Sequence, residues 1–466
     1  MTPSTIAAIS TPAGHGGIGI VRISGPQSFS IGLQLFRPLR RSQPPTSSSR
    51  FPYTTHRVYF GHFHSFHNQV PIDEVLIVFM KSPRTYTRED VVEIHAHAGY
   101  QTLQSILKAV LDAGAELADP GEFTKRAYLN GRIDLTQAEA VVDIINARSD
   151  LAREIAFSQI NGNLKEIISD IRKSLIDIQT RIQAEIDFPD EVPDSITIDT
   201  LFPEIQDHII LPIQKLIQNH DQFSFLKEGI QSIIIGAPNV GKSSLMNHLS
   251  RKDKSIVTAF PGTTRDLIEE HVQFYGIPMV LTDTAGLHES SDPVESLGIE
   301  RALSKIKQAD LVLFMLQAGH PLTHNELHIS ELVNEKQVIL VFNKVDLLAE
   351  NREIELPKTL SRFPSVYISV LKNTGLDLLK TIIENCISQK IEGFHDSLMP
   401  NTRHKNLLDK TLSSLYRLIE GLSSRAPSDL WVLDLNDAIM QLGQISGENL
   451  YPDILDQIFN NFCIGK

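Results

Sequence analysis

The run SIIIGAPNVGKSSLMNHLS, residues 232–250, decides the fold of the middle of the chain. SIII reads as a buried strand, GAPNVGKS at 236–243 as a G-x-x-x-x-G-K-S loop, and SSLMNHLS as the start of a helix. In that order, backbone N–H groups wrap a string of phosphates and the helix N-terminus adds its partial positive charge. Lys242 is placed to reach the β- and γ-phosphates and Ser243 to ligate magnesium. Asn239, Val240, Gly241 and Ser244 belong to the same nucleotide-holding loop.

Further along, apolar runs at 279–281, 311–316, 338–342 and 366–368 alternate with helical segments, the pattern of a parallel sheet covered on both faces. Ligands of such sheets bind at the carboxyl ends of the strands, where the next motifs fall. DTAG ends one strand, with Asp283 near magnesium, Thr284 and Ala285 beside it, and the Gly286 amide near the γ-phosphate. NKVD ends another, supplying Asn343, Lys344 and Asp346. The Asp346 carboxylate accepts two hydrogen bonds from the N1–H and 2-amino group of guanine, whereas adenine offers neither donor, so the base is expected to be guanine. Ser369-Val370-Leu371 occupies the loop that supports the base, where Ser-Ala-Lys is commoner, and a backbone amide there can serve. The residue after Gly286 is Leu287, which cannot orient water as the glutamine of Ras-like GTPases does. Catalysis then falls to a metal ion, to Arg265, or to a carboxylate such as Glu295.

Two other textures flank this region. Residues 1–128 read as an α+β domain, with strands at 18–24, 75–80 and 91–96 and a helix over 101–111. Leu164, Ile167, Ile171, Leu175, Ile178, Ile182 and Ile186 step by three or four, an apolar stripe on a long helix. Similar stripes return after about Arg403, through Leu408, Leu412, Leu415, Ile419 and Leu422, and again over 430–442 and 454–462. The expected fold is therefore multidomain: an N-terminal α+β domain (1–128), a helical-bundle domain in two parts (129–222 and 391–466), and a Ras-like P-loop domain (223–390) inserted into it.

The 466 residues carry 43 basic and 56 acidic side chains, a net charge of −13, so any nucleic-acid contact needs a local basic patch. Arg126, Arg132, Arg148 and Arg153 are candidates for one, with a solvated helix face as the other reading. Two cysteines, the lack of a signal-like start and the lack of a bilayer-length apolar run point to a cytoplasmic protein off the membrane. Gly14, Gly16 and Gly19 fit a dinucleotide fingerprint, but a strand follows them where a helix is required. His62, His64 and His67 lack the companions of a metal site.

GAPNVGKSSLMN, PGTTRD at 261–266, the stretch from 283 to 302 and the terminal FCIGK, with GHGGIGIVRISG at 14–25, REDVVEIHAHAG at 88–99 and PGEFTKRA at 120–127, resemble the bacterial tRNA-modifying GTPases of the MnmE (TrmE) family over essentially the whole chain. The resemblance implies a folate-binding, dimerising N-terminal domain and a role with the flavoprotein MnmG, as a heterotetramer, in modifying carbon 5 of the tRNA wobble uridine. It implies GTP, Mg2+, K+ and a tetrahydrofolate derivative (5,10-methylene- or 5-formyl-) as ligands. Asn239, Thr258, Phe260 (by its carbonyl) and Thr263 match potassium ligands, Thr264 joins Ser243 on magnesium, and Glu295 matches the residue that positions water. Arg22, Glu93, Arg132 and Lys466 match folate contacts, and Cys463 matches the terminal cysteine. A different class, a regulatory or ribosome-assembly GTPase switch without modification chemistry, needs none of these folate residues.

Overall fold

The computed structural model describes the chain apart from residues 1–3, 13–15, 40–52, 148, 189–197, 253–268, 275, 284–304, 307, 335, 349–359, 392–397, 425, 449, 451, 461 and 466. The chain forms two compact units. One comprises Met1–Val142, Ile160–Ile196 and Ser414–Lys466; the other comprises Asp143–Gln159 and Thr197–Ser413.

In the first unit the strands are β1 (Ile6–Ile9), β2 (Ile18–Ser24), β3 (Phe36–Pro38), β4 (Val58–His64), β5 (Pro71–Met80), β6 (Val91–His97) and β7 (Glu116–Leu117). They form one sheet in the order β3-β4-β5-β6-β2-β1-β7. Strand alternation sorts the side chains onto two faces. Val21, Ile23, Val92 and Ile94 point to a core shared with Ile31 and Leu35 of helix Ser28–Leu35 and with Ile106 and Val110 of helix Tyr100–Asp112. Burying each such side chain contributes about 1.5–3 kcal/mol. The intervening residues, Arg22 and Glu93, then face the other way, and the antiparallel register sets them directly opposite each other. The strand at Ile18–Ser24 also removes the dinucleotide-fingerprint reading, since no helix follows the glycines.

The long helix expected from residue 164 is present as Asn163–Asp187, joined to helix Ser428–Ser446 by a 2.8 Å hydrogen bond from Gln179 Nε2 to Asn436 Oδ1 and, just past the end of that helix, to Glu448 by a 2.8 Å ion pair from Arg172. Its buried stripe is Leu164, Ile168, Ile171, Leu175, Ile178 and Ile182. Ile168 is buried in place of the expected Ile167, its neighbour in the chain. In helix Thr402–Ser423 the buried set includes Leu408, Leu415, Leu418 and Leu422, with Leu418 buried in place of the expected Ile419.

In the second unit β8 (Ile230–Gly236), β9 (Glu269–Phe274), β10 (Ile277–Asp283), β11 (Leu311–Gln317), β12 (Gln337–Asn343) and β13 (Ser365–Tyr367) form a sheet in the order β13-β12-β11-β8-β10-β9. All pairings are parallel except β9 with β10. β10, β11 and β12 are buried almost throughout, as their near-continuous apolar runs require. Ile230 and Ile234 enter one core and Ile233 and Ile235 the other, so the sheet is covered on both faces. Helix His324–Leu332 starts where Thr323 and Glu326 cap one another, with Thr323 N donating to Glu326 Oε2 at 2.8 Å.

Candidate functional site

The carboxyl ends of β8, β10, β12 and β13 carry the nucleotide motifs. Gly236 ends β8 at φ 150°, where a Cβ would lie 2.2 Å from the Met315 carbonyl oxygen, so only glycine lets the chain leave the strand there. Asn239 (φ 61°) and Gly241 (φ 105°) complete the turn, and helix Lys242–Lys252 begins at once. The loop is thus a backbone cradle in which added carbon would collide with the scaffold, a fit to a phosphate chain approached by N–H groups.

Lys242 is only 4% exposed, and its Nζ donates to the carbonyl oxygens of Gly236 and Ala237, each at 3.0 Å. Burial pushes its ammonium below the ordinary lysine value, with the Asp283 carboxylate acting in the opposite direction. Ser243 Oγ donates to Asp283 Oδ2 at 2.7 Å. A hydroxyl and a carboxylate converging there are the oxygen donors that a small hard cation bound with phosphates takes up.

The base-reading loops are fastened to this cradle. Asn343 Nδ2 donates to the Val240 carbonyl at 2.8 Å, while Asn343 Oδ1 accepts from the Val370 amide at 3.2 Å. One amide side chain therefore ties the end of β12 to the phosphate loop and to the loop after β13. Lys344 adopts the left-handed conformation (φ 66°) that turns the chain toward Asp346. Ser369 Oγ donates to Asp346 Oδ1 and accepts from the Lys372 amide at 3.1 Å. The Ser369–Thr374 backbone pair closes this loop, and Gly375 (φ 74°) has no space for a side chain beside the Tyr367 carbonyl. The departure to Val370 and Leu371 is thus absorbed by main-chain and Ser369 contacts, with Leu371 itself 81% exposed.

The structure brings Asn239, Val240, Gly241, Lys242, Ser243, Ser244, Asp283, Asn343, Lys344, Asp346 and Ser369 to one end of this sheet. Thr258, Phe260, Thr263, Thr264, Arg265, Thr284, Ala285, Gly286, Leu287 and Glu295 lie outside the described residues, as do Arg148 and Lys466.

A second constellation lies in the first unit. Arg22 donates from Nε to Glu93 Oε1 at 2.8 Å and from Nη1 to the Gly465 carbonyl at 3.4 Å. Glu93 is held below the ordinary carboxylate value: the His95 hydrogen bond is the largest influence, burial opposes it, and the Arg22 guanidinium adds to it. Tyr86 stands between two guanidinium groups, Arg132 at 4.6 Å from its ring centre and Arg22 at 6.0 Å, and Phe123 lies 5.7 Å from Arg22. The terminal segment reaches this place because the Gly121 amide donates to the Cys463 carbonyl at 3.3 Å and Gly121 (φ 67°) lies against Phe459 and Phe462. Cys463 itself is exposed. Motif reading missed Tyr86, Phe123 and Thr124, since their roles arise from packing across distant parts of the chain.

Arg126 does not belong to a surface patch. Its guanidinium is 12% exposed and bonds Glu122 Oε1 at 2.8 Å, Glu89 at 3.3 Å and the Ser4 carbonyl at 2.7 Å, so two carboxylates neutralise it. Arg153 lies beside Asp150 and Glu154. His62 pairs with Glu74 and His67 with Asp112, and the described residues hold no cluster of metal ligands. Among the described residues no helix is long and apolar enough to cross a membrane.

The doubly covered sheet, with G-x-x-x-x-G-K-S, DTAG and NKVD at the carboxyl ends of its strands, defines the class, a P-loop guanine-nucleotide-binding protein. Family models match along the chain: the TrmE N-terminal domain of a GTP-binding protein over residues 5–132, and the MnmE helical domain over residues 135–463. Proteins called tRNA modification GTPase MnmE are similar end to end. That of Acetivibrio thermocellus is 41% identical over 463 residues, 99% of both chains, and that of Carboxydothermus hydrogenoformans is 41% identical over 468 residues, 100% of both. The chain belongs to the MnmE family.

Proposed function

We propose that the protein hydrolyses GTP and uses that hydrolysis in modifying carbon 5 of the tRNA wobble uridine, in the cytoplasm and with the flavoprotein MnmG and a second copy of itself. The observation that carries the reading is the clasp of Asn343 on Val240 and Val370, which sets a guanine-selecting carboxylate against a phosphate loop in a chain of this family.

On this reading residues 1–128 bind folate and dimerise, residues 129–222 with 391–466 form the helical domain, and residues 223–390 form the G domain. Loop amides and Lys242 hold the triphosphate, and Asp346 accepts from the guanine edge. Ser243, Asp283 and Thr264 would hold magnesium, which when bound neutralises phosphate charge. Asn239, Thr258, Phe260 and Thr263 would hold potassium, which supplies the charge an arginine finger supplies elsewhere. Glu295 would orient the attacking water, and Arg265 would assist catalysis.

The second constellation fits a reduced folate. A carboxylate kept ionised by His95 and Arg22 accepts from the amino-pyrimidinone edge of a pterin just as Asp346 accepts from guanine. Arg22, Glu93, Arg132 and Lys466 would hold it. Exposed Val58, Phe60 and Leu76 on the open sheet face support self-association.

Nucleoside mass spectrometry of tRNA from cells lacking the protein tests the proposal: loss of the C5-substituted wobble uridine is expected, and an unchanged nucleoside profile refutes it. Equilibrium dialysis against a reduced folate separates this reading from a regulatory GTPase, which would show no binding. GTP turnover in potassium should exceed that in sodium, and equal rates would remove the cation site at Asn239.

A further inference from the structure

Leu398, Met399 and Pro400 follow the P-loop sheet in the chain and are neither helix nor strand, yet Met399 and Pro400 are buried. In such a stretch the backbone carbonyls must find donors on side chains. Helices Asp150–Ile160 and Leu211–Phe223, which precede the sheet in the chain, supply them in turn. Asn219 Nδ2 donates to the Leu398 carbonyl at 3.1 Å, Gln159 Nε2 to the Met399 carbonyl, and His220 Nδ1 to the Pro400 carbonyl at 2.7 Å. A carbonyl only accepts, so His220 carries a proton on Nδ1.

The next residues are fastened as well. Asn401 Oδ1 accepts from the His404 amide at 2.9 Å, and the Asn401 amide donates to His404 Nδ1 at 3.3 Å, so the start of helix Thr402–Ser423 is capped. Lys405 Nζ pairs with Asp221 Oδ1 at 2.6 Å, beside Asn219 and His220 on the same helix. Apolar packing joins these anchors to the nucleotide site. One hydrophobic core holds Val240 of the phosphate loop, Leu245 and Met246 of the helix behind it, Ile155, Phe223 and Met399.

A segment held through successive carbonyls has one position. Sliding it by a residue would strand buried acceptors together with their donors, which costs more than the bonds contribute. Packing alone would be served by apolar side chains, whereas Gln159 is an amide only 2% exposed. A buried amide is tolerated where its bonds specify a position.

We infer that Gln159 and His220 are positioning residues for tRNA modification: they lock Leu398–Pro400 to the core that carries the phosphate loop, so that a rearrangement on GTP hydrolysis is passed into helix Thr402–Ser423. The inference rests on the proposed function and goes beyond it, by naming side chains that couple hydrolysis to modification. Gln159 and His220 belong to neither the nucleotide motifs nor the second constellation, so hydrolysis itself does not depend on them.

The test compares two rates for the full-length protein. One is GTP turnover of the purified chain in potassium; the other is the appearance of the C5-substituted wobble nucleoside after induction, at matched protein level, in cells lacking the protein. Gln159→Met and His220→Leu should keep GTP turnover within about twofold and slow nucleoside formation about tenfold, the size of a typical coupling between sites. His220→Asn, whose Nδ2 takes the place of Nδ1, should restore it. His220 is only partly buried, so its two variants carry the test even where Gln159→Met fails to fold. Undiminished nucleoside formation in His220→Leu overturns the inference, and so does a proportional loss of both rates, which marks a role in folding alone. Hydrolysis by an unsubstituted protein that forms no modified nucleoside overturns the proposed function and this inference together.

Discussion

The Ser369 hydroxyl donates a 2.5 Å hydrogen bond to Oδ1 of Asp346, so the carboxylate proposed to read the base is oriented by the loop after β13 before any nucleotide arrives. Such preorganisation spends the ordering entropy in folding, and the bound guanine then meets an acceptor already aimed. Ser369→Ala should weaken GTP binding about fivefold, the worth of one ordinary hydrogen bond. Asp346→Asn should weaken it at least about a hundredfold and improve binding of xanthosine triphosphate, whose 2-oxo group accepts where guanine donates. Titration calorimetry with both triphosphates decides it: an Asp346→Asn protein that still prefers GTP would remove Asp346 from the base site.

Lys242 gives a prediction in pH. Its folded-state pKa is lowered by burial, so between that lowered value and the ordinary 10.5 the unfolded chain binds a proton that the folded chain does not. Stability of the nucleotide-free protein therefore rises with pH through this alkaline window on account of this group. Compared with Lys242→Met, the unsubstituted protein should gain relative stability as pH is raised toward 10.5. Paired denaturant titrations measure the difference, and a stability of the unsubstituted protein relative to the variant that stays level or falls with rising pH contradicts the assignment.

The P-loop sheet was legible from short apolar runs because β8, β10, β11 and β12 are buried almost throughout, and β8, β10 and β12 each end in a motif whose chemistry needs that end. SIII before GAPNVGKS and the apolar run before NKVD both became strands that deliver those motifs to one edge. The helical stripes were legible as stripes but slipped by one residue at Ile167 and Ile419, since two adjacent apolar residues make the period ambiguous. Arg22 and Glu93 were legible through resemblance, and the register that sets them opposite each other follows from strand pairing, which a linear pattern does not specify. Tyr86 left no mark: it lies in a loop, and its meaning comes from Arg132 and Thr124, each contributed by a different element.

Arg126 separates a structural cation from a nucleic-acid contact. Removing it leaves Glu89 and Glu122 facing each other largely buried, with the Ser4 carbonyl deprived of its donor. Arg126→Met should cost about 3 kcal/mol of folding free energy, the penalty for uncompensated carboxylates in a poorly hydrated place. Because the charge is already neutralised, the salt dependence of tRNA binding should be the same in the variant and the unsubstituted protein. A reduced salt slope with unchanged stability would return Arg126 to the surface patch.

Glu93 makes the acid limb of the first unit a measure of the Arg22–Glu93 pair. The folded carboxyl titrates below its ordinary value of 4.5, held there by His95 and Arg22. The unfolded chain therefore takes up a proton first as pH falls. The stabilisation is fully present above 4.5 and is lost progressively as pH drops through the lower folded value. Glu93→Gln removes this titration, so the stability difference between the unsubstituted protein and the variant should be constant near neutrality and shrink below 4.5. The variant should also leave Arg22 without its partner, so on the folate reading it should lose affinity for both 5-formyltetrahydrofolate and 6-methyltetrahydropterin, which lacks the carboxylate tail. A pH-independent difference would mean that the carboxyl is not held by its neighbours, and affinity for the tail-less pterin surviving in Glu93→Gln would place the ring elsewhere.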